Sequence, residues 1–453
     1  MGKLFGTDGV RGIVNKDLTV DLAVKIGISV SRVLKKDLDK KNLNFLIGSD
    51  TRISKDMLLS AVASGVLSEG CNIINVGVLP TPAISYLTQK YNLDGAFVIS
   101  ASHNPSEYNG IKVLDRYGFK LSDNLEDECE NIVLNNLEIN HETTECGTFT
   151  NNPTAIDDYV DYLISTVEGD FSNIKILIDT ANGASYKTAD RLFSKLSANY
   201  TIINNTPDGL NINKDAGSTH IDGLKKAVVE GRYDIGIAYD GDADRVILVD
   251  EKGNEIDGDF IIAITGNELK KQAKLLNNTL VGTIMSNLGL IKFCHENGIN
   301  FIPTKVGDKY VLRKMLEDNY LIGGEQSGHI IFKHLANTGD GELTSIQVLN
   351  IMSNSGKRLS ELASIMKKYP QVLVNAKVSK EGKEEFESRE DIKIVISEYE
   401  KRLNGDGRIV IRPSGTENLI RVMIEGSDII LIEQMCHELA SFIEQELGCQ
   451  VKK

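Results

Sequence analysis

Three times along the chain, an apolar run of strand length closes on a Gly-rich or polar turn and gives way to helical spacing. The three runs are F-L-I-G-S-D-T-R from Phe45, I-L-I-D-T-A-N-G from Ile176 and L-V-G-T-I-M-S-N from Leu280. Amphipathic spacing follows each, then a second strand (C-N-I-I-N-V from Cys71, Y-T-I-I-N-N from Tyr200, I-N-F-I-P-T from Ile299) and a further helix. Each copy ends in a strand, a polar loop and another strand. The closing segments are G-A-F-V-I-S/A-S-H-N-P/N-G-I-K-V-L, D-I-G-I-A-Y/D-G-D-A-D-R/V-I-L-V-D and Y-L-I-G-G/E-Q-S-G-H/I-I-F-K. Identity among the copies is slight, so the repeat is architectural. Strand–helix–strand order demands crossovers and parallel strands, whereas the closing strands are near enough in sequence to form a hairpin. The pattern therefore predicts three similar α/β domains with mixed, mostly parallel sheets.

From about Tyr369 the pattern changes. Strand-like Q-V-L-V-N-A-K-V is followed by a charged helical stretch near Lys383 to Leu403, then by R-I-V-I-R-P-S-G-T-E-N-L-I-R-V-M-I-E-G and an amphipathic helix. This reads as a smaller C-terminal α+β domain. The expected division is 1–151, 152–252, 253–368 and 369–453, with the polar stretch from Asn135 to Pro153 a linker or an edge strand. A length of 453 residues agrees, being beyond what one core usually supports.

Charge narrows the partners. With 50 basic against 64 acidic residues, the net charge of −14 disfavours a nucleic acid or an anionic membrane, both of which need a cationic face. A small anionic substrate held by a few local Arg and Lys side chains remains compatible. The six cysteines form no C-x-x-C and no Cys/His zinc spacing. The N-terminus turns polar before a signal-peptide core, and the longest apolar runs fall short of a membrane span. The expected location is the reducing cytoplasm.

Chemistry concentrates in four loops. In D-G-D-A-D-R, Asp240, Asp242 and Asp244 place three carboxylates within five residues, between two apolar strands. Such a cluster calls for a cation, and all-oxygen ligation favours a hard divalent ion, Mg²⁺. An EF-hand is one rival, but Arg245 stands where its sharp turn needs Gly and the flanks are β-like; a solvated acidic turn with no ion is the stronger rival. Arg245 can hold a phosphate that bridges to the metal. In S-A-S-H-N-P, Ser102 offers a hydroxyl that such an ion could serve, although alone the segment reads equally as a turn. The G-G-E-Q-S-G-H loop mixes a carboxylate, an amide, a hydroxyl and an imidazole among small residues, which suits sugar hydroxyls. In R-P-S-G-T-E-N, Arg412 supplies a planar fork, while Ser414, Gly415 and Thr416 supply hydroxyls and backbone N–H groups for a phosphate. Each of the last two is also readable as an ordinary turn. Arg11, in G-T-D-G-V-R-G, is a further phosphate candidate, the segment reading equally as a plain turn. Lys112 and His329 are candidate acid/base groups, each read as readily as an ion-pair partner, and Lys305 and Lys309 add positive charge.

In combination these loops become specific. S-A-S-H-N-P, D-G-D-A-D-R, G-E-Q-S-G-H and R-P-S-G-T-E, in this order and spacing, resemble the α-D-phosphohexomutase superfamily along the whole chain. The opening G-T-D-G-V-R-G, Gln326 and the G-S-T-H at Gly217 to His220 make the chain most similar to the bacterial branch acting on glucosamine phosphates. The resemblance implies four domains in a heart around a central cleft, one loop from each. It implies a phosphorylated Ser102 and Mg²⁺ held by Asp240, Asp242, Asp244 and the serine phosphate. Glu325 and Ser327 are then the sugar contacts. Arg412, Ser414, Gly415 and Thr416 hold the non-reacting phosphate, and Arg11, Lys112 and Arg245 surround the transferred one. Lys309 stands where Arg is common, which leaves a bidentate contact there in doubt.

The implied reaction interconverts glucosamine 6-phosphate and glucosamine 1-phosphate through a 1,6-bisphosphate, with a hexose 1,6-bisphosphate as activator and a homodimer as the assembly suggested by relatives. The product would feed amino-sugar nucleotides and peptidoglycan precursors. Two alternatives stay open: a glucose or mannose phosphate substrate, and a non-catalytic sugar-phosphate-binding protein.

Overall fold

The computed structural model describes residues 4–6, 8–135, 144–414 and 417–448. Gly415 and Thr416 of the expected phosphate loop lie outside them. Two compact units form, one from Met1–Thr283 and Thr304–Ile365, the other from Ile284–Pro303 and Met366–Lys453.

In the first unit, a six-stranded sheet has the order β1-β5-β4-β2-β3-β6. Its strands are β1 (Val10–Ile13), β2 (Asn44–Ser49), β3 (Asn72–Val78), β4 (Gly95–Ile99), β5 (Tyr108–Asp115) and β6 (Phe149–Asn151). A second sheet has the order β11-β10-β9-β7-β8, from β7 (Lys175–Asp179), β8 (Asn199–Ile203), β9 (Ile235–Tyr239), β10 (Val246–Asp250) and β11 (Glu255–Ile256). After β12 (Thr279–Thr283) the chain passes into the second unit and returns along β13 (Asn300–Thr304). It then forms β14 (Ile322–Gly324) and β15 (Ile330–Phe332).

The expected threefold repeat is visible in the pairing. β2–β4, β7–β9 and β12–β14 are parallel. β4–β5, β9–β10 and β14–β15 are antiparallel hairpins that close each copy. β4 and β9 are buried at every position, as strands covered on both faces must be. The same geometric corner recurs three times, at the hairpin turns after β4, β9 and β14. These turns carry Ser102, the Asp triplet and Glu325, at the carboxyl ends of parallel strands where α/β sheets place their ligands.

Close backbone approach holds the first layer together. Helices Val20–Leu38 and Lys55–Ser68 cross at Gly27 and Gly65. A Cβ on Gly65 would lie 2.3 Å from the Val24 carbonyl oxygen, and one on Gly27 would lie 2.4 Å from that of Val62. Only glycine permits that separation.

The second unit is an antiparallel sheet of order β16-β18-β17, from β16 (Gln371–Lys377), β17 (Gly407–Pro413) and β18 (Leu419–Gly426). Ile420, Val422 and Ile424 alternate along β18. They face Ile432, Met435, Cys436, Leu439 and Ile443, the apolar stripe of helix Ile429–Leu447.

Two details differ from the expectation. The short strand β1 begins inside G-T-D-G-V-R-G, so Arg11 sits on a sheet edge opposite Gly110 rather than in a plain turn. The charged stretch after β16 is two helices, Lys380–Glu385 and Glu390–Arg402, because Phe386 buries and Arg389 turns to pair with Asp391. Among the described residues no helix is long and apolar enough to cross a membrane.

Candidate active site

Ser102 and the Asp triplet meet. Ser102 sits in the turn after β4, with a left-handed backbone (φ 52°) and 1% of its surface exposed. Its hydroxyl donates to Asp240 Oδ2 at 2.6 Å, across 138 residues of sequence. His103 Nδ1 lies 3.4 Å from the same hydroxyl. The metal loop is tight, with Ala243 also left-handed (φ 56°). Asp240, Asp242 and Asp244 are all buried, each with a carboxylate oxygen within 4.8 Å of the others'.

Without a cation this arrangement is costly. Burial pushes the Asp240 carboxyl well above the ordinary carboxylate range, and Asp244 and Asp242 push it further. Asp244 goes the other way. Burial opposes its charge, but Lys112, His329 and Arg245 outweigh burial and hold it ionised. Asp242 Oδ1 and Asp244 Oδ1 are buried without a hydrogen-bond partner. Two orphaned anionic oxygens beside a third carboxylate fit a hard divalent cation, and all three ligands are the oxygen type Mg²⁺ prefers.

Cations surround the triplet. Lys112, from β5, donates to Asp242 Oδ2 at 2.7 Å and lies 3.1 Å from Asp8 and 3.7 Å from Asp244. Burial acts to lower its pKa, but the three carboxylates outweigh burial and keep it an ammonium. Arg245 Nε is 3.7 Å from Asp244 Oδ1, and its backbone N–H donates to Asp240 Oδ1 at 3.2 Å. Arg11 pairs with Asp8. His329, 2% exposed, accepts the Gly339 N–H at Nε2 (3.0 Å) and turns Nδ1 toward Asp244 (3.7 Å). Lys112 and His329, expected as acid/base groups, are here engaged in neutralising and orienting the carboxylates.

Three charged residues and one hydroxyl of this site escaped the sequence reading. Asp8, Lys112, Asp244, His329, Asp308 and Lys120 close a ring of acids and bases. Lys120 bridges Asp8 (2.7 Å) and Asp308 (2.6 Å), and Asp308 lies 3.8 Å from His329. Thr81 donates to Asp242 Oδ2 at 2.5 Å. Asp8 stood inside a quoted motif, so its acidity was the available signal. Lys120, Asp308 and Thr81 offered none without their distant partners.

The sugar loop lies between β14 and β15. Glu325 accepts the Gly307 N–H at 2.9 Å, and Ser327 is exposed. Lys305 is exposed two residues before Gly307. Lys309 pairs with Asp123 (3.0 Å), and Gln326 extends its amide to Asp257 (3.4 Å).

In the second unit, Arg412 stands directly opposite Arg421 across β17 and β18. The Nε of each is buried without a hydrogen-bond partner. Burial, then the neighbouring Arg421 charge, lowers the Arg412 pKa. Like charges directly opposite are unfavourable on their own; Glu417 lies 3.8 Å from Arg421, and two planar forks side by side have the chemistry to bind a further anion. Ser414, 1% exposed, holds the turn by donating its N–H to the Leu419 carbonyl and accepting the Glu417 N–H at Oγ.

Beneath the metal loop, Gly341 donates its N–H to the Ala243 carbonyl at 2.9 Å. Asp340 caps the helix Gly341–Ser355 by accepting from Leu343 N (2.9 Å) and also accepts from the Tyr159 hydroxyl (2.8 Å). Burial raises its carboxyl to about 6. The folded protein thus binds this proton more tightly than the unfolded chain. Its stabilising effect is complete below the unfolded value near 3.8 and is lost as pH rises through about 6. A rise from 3.8 to about 6 corresponds to about 3 kcal/mol. Asp340→Asn removes the titrating group, keeps the cap through its one oxygen and turns an amide N–H toward the Tyr159 hydroxyl oxygen. Urea midpoints at pH 4.5 and 7.5 should therefore show a weaker pH dependence in the variant than in the native protein.

Known proteins share both the sequence and the fold. Residues 2–140, 157–253 and 257–369 match the phosphoglucomutase/phosphomannomutase alpha/beta/alpha domains I, II and III, and residues 373–442 match the C-terminal domain of that family. Over 450 residues, covering 99% of this chain and 100% of the relative, the chain is 53% identical to the phosphoglucosamine mutase of Acetivibrio thermocellus. The crystal structure of a putative phosphomannomutase from Thermus thermophilus has the same fold, with a TM-score of 0.79 at 19% identity over 97% of this chain and 98% of that one. The Aspergillus fumigatus N-acetylphosphoglucosamine mutase, solved in complex with GlcNAc-6P and magnesium, shares it with a TM-score of 0.67 at 16% identity, over 98% and 95%. With all four domain types matched in order and one relative aligned along nearly its whole length, the chain belongs to the phosphoglucomutase/phosphomannomutase family of α-D-phosphohexomutases.

Proposed function

We propose that the chain is an isomerase that interconverts glucosamine 6-phosphate and glucosamine 1-phosphate, carrying phosphate on Ser102. The observation that carries the reading is the 2.6 Å contact between the Ser102 hydroxyl and a buried carboxylate cluster with unsatisfied oxygens. The choice of amino sugar rests on the phosphoglucosamine mutase relative at 53% identity.

In the forward direction, the P–O bond to Ser102 Oγ breaks as the sugar's 1-hydroxyl oxygen bonds to phosphorus, and the proton of that hydroxyl ends on Ser102 Oγ. The resulting 1,6-bisphosphate turns end for end, and its 6-phosphate returns to Ser102. One acceptor serine and one phosphate seat suffice because the two ends of the intermediate exchange places. Arg412 and Ser414, with Gly415 and Thr416, hold the phosphate that is not reacting, and Arg421 joins them. Glu325 and Ser327 orient the sugar hydroxyls, and Lys305 adds charge beside them. Arg11, Lys112 and Arg245 offset the charge of a phosphoserine, roughly −1.5 to −2, before a second anion arrives. His329 holds Asp244 in place. Asp240, Asp242, Asp244 and the serine phosphate would hold Mg²⁺, which would supply positive charge at the moving group.

The test is a coupled assay with glucosamine, glucose and mannose 6-phosphates, Mg²⁺ and a trace of hexose 1,6-bisphosphate as activator. Glucosamine 6-phosphate should give the highest kcat/KM. A higher value for glucose or mannose 6-phosphate would overturn the substrate assignment. No isomerisation of any sugar after priming would leave only a binding protein.

A further inference from the structure

The Ser102 peptide is held on both sides by one buried ion pair that none of the chemistry above uses. Arg52 follows β2 and is fully buried, a costly place for a charge without dense pairing. Its Nε donates to Asp50 Oδ2 at 2.9 Å. Its Nη2 donates to the carbonyls of Ser102 (3.0 Å) and Asn104 (2.7 Å). Its Nη1 donates to the carbonyls of Tyr108 (3.0 Å) and Pro105. The other half of the pair reaches the opposite side of the same peptide. Asp50 Oδ2 accepts from Ser100 Oγ at 2.6 Å, and Ser100 Oγ accepts from the Ser102 N–H at 3.0 Å. A closed circuit therefore runs from Ser102 N–H through Ser100, Asp50 and Arg52 back to the Ser102 carbonyl.

A second donor doubles the hold from another sheet's loops. Asn213 Nδ2 donates to the same two carbonyls, Ser102 (2.8 Å) and Asn104 (3.1 Å). Gly241 of the metal loop packs so closely there that a Cβ would lie 2.5 Å from the Ser102 carbonyl oxygen.

This investment has a geometric purpose. A non-glycine residue at φ 52° is strained, and such backbone persists only where surroundings over-determine it. Relaxation to φ below zero would turn the Ser102 side chain away from Asp240. The Arg52 charge is largely matched by Asp50, so its contribution is direction rather than field.

We propose that Arg52, assisted by Asn213, is a positioning residue for phosphoryl transfer, locking the Ser102 peptide in the left-handed state that aims Oγ at the carboxylate cage. The inference rests on Ser102 as the phosphate carrier. It adds that alignment of this loop, beyond the presence of the serine, limits the chemical step. A displacement of about 1 Å can cost about 10²-fold in rate.

The experiment compares Arg52→Lys and Asn213→Ala with the native enzyme, all primed with the bisphosphate. Phosphate incorporation by intact mass, thermal midpoint, kcat, KM and the number of turnovers per priming event are measured. Arg52→Lys keeps the charge but loses the planar fork, and kcat should fall about 10²-fold with KM changed less than twofold. Asn213→Ala should lower kcat about tenfold, and its phosphoserine should be lost to water more often per turnover. A structural role alone would lower the thermal midpoint and leave kcat per folded molecule, and turnovers per priming, unchanged. That result in both variants overturns the proposal. If Arg52→Lys does not fold, Asn213→Ala decides alone. Absence of phosphate on the native protein would instead count against Ser102 as carrier, leaving the two failures distinguishable.

Discussion

Ser102→Ala should leave a folded protein that takes up no phosphate from a hexose 1,6-bisphosphate and turns over at least about 10⁴-fold more slowly. Ser102 Oγ is the hydroxyl hydrogen-bonded into the Asp240 cage, and the return half of the reaction has no other acceptor in this reading. The substitution removes one hydroxyl and one hydrogen bond, so its effect on stability should stay near 1 kcal/mol. Intact-protein mass separates carriage of phosphate from turnover. Ser102→Thr sharpens the test, because it restores a hydroxyl on a β-branched side chain. At φ 52° that branch is disfavoured, and threonine should recover little activity despite its intact nucleophile. Full turnover by Ser102→Ala would end the phosphoserine mechanism.

How far the sequence anticipates this site depends on where the partners lie. The Asp triplet announces itself because three carboxylates in five residues have no ordinary structural use. Ser102 gains meaning only beside it, and the repeat supplies the link, since the two loops occupy the same hairpin corner of successive copies. Asp308, Lys120 and Thr81 sit in turns and helix starts of common composition. Thr81 meets Asp242 across 161 residues and Lys120 meets Asp308 across 188, distances at which one sequence carries no pairing signal. Arg52 is hidden for another reason. It ends a strand in D-T-R, where a surface arginine is the ordinary reading, and only the closed fold reveals four carbonyls converging on it. The fold itself is legible where length permits periodicity. The two-residue β11 and the four-residue β1 are too short to show any, and the break at Phe386–Ser388 interrupts a stretch whose charge pattern runs on unchanged.

Asp240→Asn should separate the cost of the cage from its use. In the metal-free protein, the Asp240 carboxyl is buried beside two like charges with only partial neutralisation, and burial is the largest burden. The amide keeps an oxygen to accept from Ser102 while removing the charge. The stripped variant should therefore melt no lower than the stripped native protein, and a gain of about 1–2 kcal/mol fits the relief of one strained charge. With Mg²⁺ added the order reverses. The native protein gains stability by mass action as the site fills, whereas the variant, with one anionic ligand fewer, should show little shift at the same concentration. Turnover should fall by at least about 10³-fold, since charge neutralisation at the transferred phosphate is the largest element of this chemistry. Thermal midpoints with and without Mg²⁺ after chelator treatment, together with kcat, decide the matter. A variant that melts well below the native protein when both are stripped would show that Asp240 is structural rather than poised for a cation. Retention of both the Mg²⁺-dependent shift and turnover would place the metal elsewhere.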